Sequence, residues 1–171
     1  MPDLLTHSAA AYLSARRWFG EPGVSRATAI LFIVGTMLPD VLSRPFYILF
    51  PALHWWVMPL HTPAGVLIVC WIITGFFQAA ERRRVFIALT GGVLLHFLLD
   101  APQKHIAAGY FWLFPFSWKT YEWGLWWSED SVRIVPWVIL LVAIVEILIR
   151  MKWKAAGSID KLGSQQTKQK E

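Results

Sequence analysis

The sequence predicts an all-α fold: a polytopic transmembrane bundle of about five helices, joined by aromatic-rich loops at the membrane surface. Composition is the first reason. Of 171 residues, 56% are apolar and only 16% charged, with a mean hydropathy of +0.47. A soluble domain carries about a quarter charged residues. Distribution is the second. The basic residues behind a net charge of +5 stand in short clusters, Arg16-Arg17, Arg82-Arg83-Arg84, Arg150/Lys152/Lys154 and the tail, and each flanks an apolar run. A nucleic-acid binder presents its basic residues as a stripe on a soluble face, so nucleic acid is excluded as a partner and the lipid bilayer is the expected one. The 11 Trp and 11 Phe agree, because aromatic rings collect at membrane–water interfaces.

A spanning helix needs about 20 apolar residues. Residues 133–151 form the clearest span and 61–80 another. Residues 85–100 are apolar up to Asp100, and 27–42 up to Pro39-Asp40; both are short, so tilt or burial among neighbours is expected. Residues 4–19 are helix-compatible and reach roughly 24 Å, a short span or a buried half-span. Glu21-Pro22-Gly23 breaks that helix. Gly91-Gly92 and Pro136 are candidate kinks. Two aromatic stretches, 45–60 and 101–132, fit interfacial loops or re-entrant segments. The N-terminus lacks the pattern of a cleavable signal. The length suits one membrane-embedded domain, 1–154, followed by a polar tail, 155–171, expected to be disordered.

The positive-inside rule orients these pieces. With Arg82–Arg84 in the cytoplasm, every basic cluster falls on one side, the N-terminus lies outside and the C-terminus inside, as for a multi-pass inner-membrane protein. The same assignment brings His7, Asp40, His61, His96 and Asp100 to the outer ends of their helices, at one level.

Ionisable residues within spans cost about 2.5–3.5 kcal/mol each at a helix centre and face the bundle interior or a polar cavity. His96 and Asp100, spaced i, i+4, share one helix face. Imidazole nitrogen and carboxylate oxygen suit Zn²⁺, Mn²⁺ or Fe²⁺, with zinc preferred. The single cysteine, Cys70, lies within an apolar run and reads as a buried inert thiol. Taken singly, each His reads as an interfacial or capping residue, and Asp40 and Asp100 as helix caps. Five at one level across four helices point instead to a metal or proton site. His105 is a further ligand or a loop residue, and His54 is interfacial. Glu122 is a candidate general base, partner of a ligand, or solvated carboxylate. Glu146 suits a pair with Arg150. Arg44 and Lys119 are anion contacts or ordinary loop charges.

Leu38-Pro39-Asp40, His61-Thr62, His96-x-x-x-Asp100, the early His7 and Leu113-Phe114-Pro115-Phe116-Ser117-Trp118 resemble the motifs of the membrane-bound metal-dependent hydrolases, the LexA-regulated inner-membrane (YdjM-like) family. The resemblance covers roughly residues 1–150. It implies a metal-activated water acting on an ester or phosphoester at the outer face of the inner membrane, with His7, Asp40, His61, His96 and Asp100 as ligands and Glu122 as base. The order of ligands is also distantly similar to that of zinc-dependent phospholipases C, which implies lipid or phosphoester substrates. The chain departs from the family where many members read Leu-Pro-Asp-x-Asp-His: here Val41, Leu42 and Ser43 follow Asp40. Val57 stands where many members place another His. Those departures keep open a degenerate member that binds a metal or a partner; a non-catalytic transporter, or a component of a metal or proton pathway, is the other alternative. Substrate, ion and oligomeric state are not encoded in these motifs.

Overall fold

A computed structural model describes residues 4–16, 24–104, 109–127 and 130–168. The chain is mainly helical: α1 (Leu4–Arg16), α2 (Arg26–Leu49), a 3₁₀ turn (Pro51–Leu53), α3 (His54–Val57), a second 3₁₀ turn (Met58–His61), α4 (Pro63–Gly75), α5 (Ala79–Asp100) and α6 (Asp130–Lys168). It divides into two compact units, Met1–Val135 and Pro136–Glu171.

Within the first unit α2 and α5 are the central pair. Phe32 lies against Gly91 and Gly92, and Thr36 against His96, so both helices run in the same direction. Their backbones touch. A Cβ on Gly35 would be driven into the Leu89 carbonyl, and one on Gly92 into the Phe32 carbonyl. Small residues are how membrane helices approach this closely. Gly91-Gly92 is therefore a packing site, where the sequence suggested a kink.

Helix α1 runs the other way: His7 reaches the Asp100 end of α5, while Ala11 and Ala15 pack with Ala29 and Phe32 near the start of α2. Helix α4 also opposes α5. It follows His61, which lies beside Asp100, and it ends beside Arg82, whose side chain caps the Phe77 and Gly75 carbonyls at 3.0 and 3.2 Å. Leu38, Val66, Cys70, Val85, Leu89, Val93 and Phe97 fill the space between α2, α4 and α5. Cys70 is free and buried.

Caps set the starts of α2 and α4. Ser25 Oγ accepts from Thr28 N at 3.2 Å. Thr62 Oγ1 accepts from Gly65 N at 3.2 Å, and Pro63 opens α4, where the missing N–H costs nothing. Gly65 is required there, because a Cβ would strike the Pro59 carbonyl.

Several boundaries differ from the sequence expectation. Helix α2 does not stop near residue 42; it carries Pro39 and Pro45 inside and ends at Leu49. Proline survives within membrane helices when neighbouring groups absorb the freed backbone. The 61–80 span is replaced by α4, whose 13 residues reach about 20 Å, bent by 75° from Pro51–His61. Helix α5 starts at Ala79, so Arg82–Arg84 lie inside it and not in a loop; arginine is a good helix former. Helix α1 ends at Arg16, and the predicted break at Glu21-Pro22-Gly23 lies outside the described residues. Among the described residues, two helices are long and apolar enough to cross a membrane, Arg26–Phe46 and Arg133–Met151, or three if the bent pair counts as one span. The remaining two of the expected five are too short, or too charged in their first turns, to qualify.

After α5 the described residues make a few backbone pairings. Gln103-Lys104 pairs in parallel with Trp126-Trp127, and Tyr110 bridges Tyr121. In the second unit, α6 carries Pro136, pairs Arg150 Nε with Glu146 Oε2 at 3.7 Å, and continues to Lys168. Helix α6 thus takes in residues 155–168 of the polar tail.

Candidate metal centre

Helix packing brings His7, Asp40, His61, His96 and Asp100 together. Asp100, the last residue of α5, is the hub, and its side chain is fully buried. His7 Nε2 lies 3.3 Å from Oδ1, while His96 Nε2 at 3.3 Å and His61 Nε2 at 3.5 Å face Oδ2. Asp40 joins from α2, with Oδ1 at 4.0 Å from His96 Nε2 and 3.8 Å from His61 Nδ1. The His7 and His96 rings stand 4.4 Å apart, and those of His61 and His96 5.2 Å. Asp40 is not at the end of its helix as expected. It lies more than two turns inside α2, because α2 runs on through Pro45.

Surrounding hydrogen bonds assign the tautomers. The His96 Nδ1–H donates to the Thr36 carbonyl at 2.9 Å, an acceptor only. Ser43 Oγ spends its single proton on the Pro39 carbonyl at 2.7 Å, so at 3.0 Å it accepts from His61 Nδ1–H. In the neutral rings both Nε2 atoms then carry lone pairs, aimed at carboxylate oxygens. His61 Nε2 and His96 Nε2 have no properly formed hydrogen bond among the described residues, nor has Asp40 Oδ2 or either nitrogen of His7. Lone pairs converging on carboxylates repel unless a cation lies among them. The spacing fits one: ligands of a tetrahedral zinc at about 2.0–2.1 Å stand roughly 3.3–3.4 Å apart. Two ligand triads emerge, His7/Asp40/His96 and His61/His96/Asp100, each with ligand atoms within 4.8 Å of one another. They share His96.

Three supporting residues escaped the sequence reading. Thr36 and Ser43 orient imidazoles. Tyr110 donates its hydroxyl to Asp100 Oδ2 at 2.7 Å and stacks on His61 at 5.7 Å. Burial, then the charge of Asp100, pushes the Tyr110 hydroxyl well above its ordinary value, so it stays a donor. Ser43 left a signal, one turn beyond Pro39 and beside Asp40 on α2. Tyr110 left none, because its place depends on how the connection folds back. Gln103 Nε2 adds a longer contact to Asp100 Oδ1 at 3.4 Å.

The other candidates fall elsewhere. Glu122 is exposed and belongs to neither triad. Lys119 is exposed. His54 is half-buried, with its ring edge on Trp55 at 5.7 Å. His105 lies outside the described residues. Arg44, read as an anion contact or an ordinary loop charge, lies within α2, and its Nε is 2.8 Å from Asp40 Oδ1.

No curated protein and no solved structure shows significant similarity to the chain. The family described as YdjM inner membrane protein matches it over residues 1–161, in keeping with its long apolar helices. The chain belongs to the YdjM inner membrane protein family.

Proposed function

We propose that this membrane protein is a metal-dependent hydrolase of ester or phosphoester bonds, working at the outer face of the inner membrane. The observation that carries the proposal is the convergence of the His61 and His96 Nε2 lone pairs on buried carboxylates, at separations suited to a shared cation. Nitrogen and oxygen donors favour Zn²⁺, with Mn²⁺ or Fe²⁺ as alternatives. Such an ion supplies Lewis acidity and a water whose pKa falls to about 7.

The chain's own residues do the rest. His7, Asp40, His61, His96 and Asp100 would hold the ion. Thr36, Ser43 and Tyr110 fix the ligands' orientation, as partners of metal ligands generally do. Asp40 Oδ2, buried and without a hydrogen bond among the described residues, would be the acceptor for a water proton in place of the exposed Glu122. Arg16, Arg26 and Arg82–Arg84 mark the opposite end of the helices, which the positive-inside rule assigns to the cytoplasm. The cluster then faces the periplasm and the C-terminus the cytoplasm. A transporter keeps its ionisable groups near mid-membrane, and the gathering of this cluster at one end favours a surface enzyme.

Metal analysis of the purified protein, with turnover of ester and phosphoester substrates, tests the proposal. We expect about one or two equivalents of bound zinc, lost in His96→Ala and Asp100→Ala, and hydrolysis that a chelator abolishes. An occupied site without turnover of any ester would leave a metal-binding protein and end the hydrolase reading.

A further inference from the structure

We infer that the cluster receives its substrate from the bilayer, as an anionic phospholipid whose head group enters beside His61 and Arg44 while its acyl chains stay in the membrane. This rests on the metal-site reading and adds a substrate class and a route. Four of the five cluster residues are sealed, with His7, His96 and Asp100 at 0% exposure and Asp40 at 2%. The rim is formed by His61 and Arg44, whose side chains are 10% and 20% exposed. The opening therefore lies where the last turns of α2 meet the turn that ends at His61.

That opening is walled by uncharged chain. Residues 45–80 contain no Asp, Glu, Lys or Arg. Phe46, Leu49, Phe50, Trp55 and Trp56 are all exposed there, Trp56 by 81%. Pro51–His61 is bent by 75° from α4, so it leaves the line of the helix it precedes, as an interfacial segment does. Tryptophan at the polar–apolar boundary anchors such a segment in lipid. A soluble polar substrate meets an apolar wall on this side, whereas a lipid head group already sits at that depth.

Charge selects an anionic head. Two buried carboxylates repel anions, and the Arg44 guanidinium adjoins them, in the planar geometry that suits phosphate oxygens. With a dication in place the pocket attracts phosphate; without it the carboxylates prevail. Lipid binding is thus coupled to metal binding.

Cobalt gives a readout independent of turnover. The Co²⁺-loaded full-length protein is placed in phosphatidylcholine nanodiscs with or without phosphatidic acid. The visible spectrum of the bound cobalt is expected to shift in the doped discs and to stay unchanged when glycerol phosphate is added from water to undoped discs. Replacing both Trp55 and Trp56 by alanine should raise the phosphatidic acid required by about tenfold, since each ring buries a large apolar surface. Arg44→Gln should weaken the response while cobalt stays bound. A shift as strong with glycerol phosphate as with the lipid would overturn the bilayer route and leave the metal centre standing, as would no shift with either. A protein that takes up no cobalt would sink the metal centre itself, and the route with it.

Discussion

Replacing Tyr110 by phenylalanine removes one atom and tests the proposed metal centre directly. The hydroxyl donates to Asp100 Oδ2 at 2.7 Å, and both residues are buried. The ring, stacked on His61, keeps its place in Tyr110→Phe. A hydrogen bond to a charged group contributes about 1.5–3 kcal/mol, or roughly 10- to 150-fold in affinity. Outer partners of metal ligands change affinity by about 10- to 100-fold when removed, so the two scales agree. Gln103 remains on the other oxygen at 3.4 Å, too far to compensate. We expect zinc affinity to fall by one to two orders of magnitude, read by competition with a chromogenic chelator in detergent. An affinity within about twofold of the parent would refute the claim that Asp100 is a metal ligand oriented by Tyr110. The same variant has a signature in pH. Burial and Asp100 raise the Tyr110 hydroxyl above its ordinary value of 10, so above pH 10 the unfolded chain releases this proton while the folded chain keeps it. Stability from this group is complete below pH 10 and falls above it by at most about 1.4 kcal/mol per pH unit. Tyr110→Phe should flatten that alkaline slope in thermal melts of the apo protein.

Other consequences are as open to measurement. Gly92→Ala should part α2 from α5, because its Cβ meets the Phe32 carbonyl; we expect a loss of about 1–3 kcal/mol in melts and weakened zinc binding. Gly75→Ala, with nothing within 4 Å of the new methyl, should stay within about 0.5 kcal/mol of the parent, and equal losses at both positions would contradict the packing argument. Ser43→Ala removes the acceptor of His61 Nδ1–H and should cost about 10- to 100-fold in zinc affinity with little change in fold; unchanged affinity would remove His61 from the ligand set. In a Cys70→Ser background, Arg83→Cys should react only with reagent from the cytoplasm and Trp118→Cys only from the periplasm, and labelling from the same side would reverse or abolish the proposed topology.

Sequence patterning determined the membrane environment and the helical character of the apolar runs. Apolar runs and basic clusters are local, additive properties, and a bilayer reads them one segment at a time. His96 and Asp100 were legible as a pair because one α-helix places i and i+4 on one face whatever surrounds it. His7, Asp40 and His61 were legible only as residues at a common level, since topology gives height and not azimuth. The inward turn of each was decided by tertiary contacts: the bare backbones at Gly35 and Gly92, and the bend between Pro51–His61 and α4. Helix limits were misread where local rules met long-range ones. Pro39 and Pro45 look like stops and lie within α2, and three arginines look like a loop and open α5. Tyr110 is the plainest case of what only the fold decides. Nothing in its neighbours marks it, and it acquires a role because the chain after α5 pairs Tyr110 with Tyr121 and delivers its hydroxyl to a carboxylate ten residues earlier.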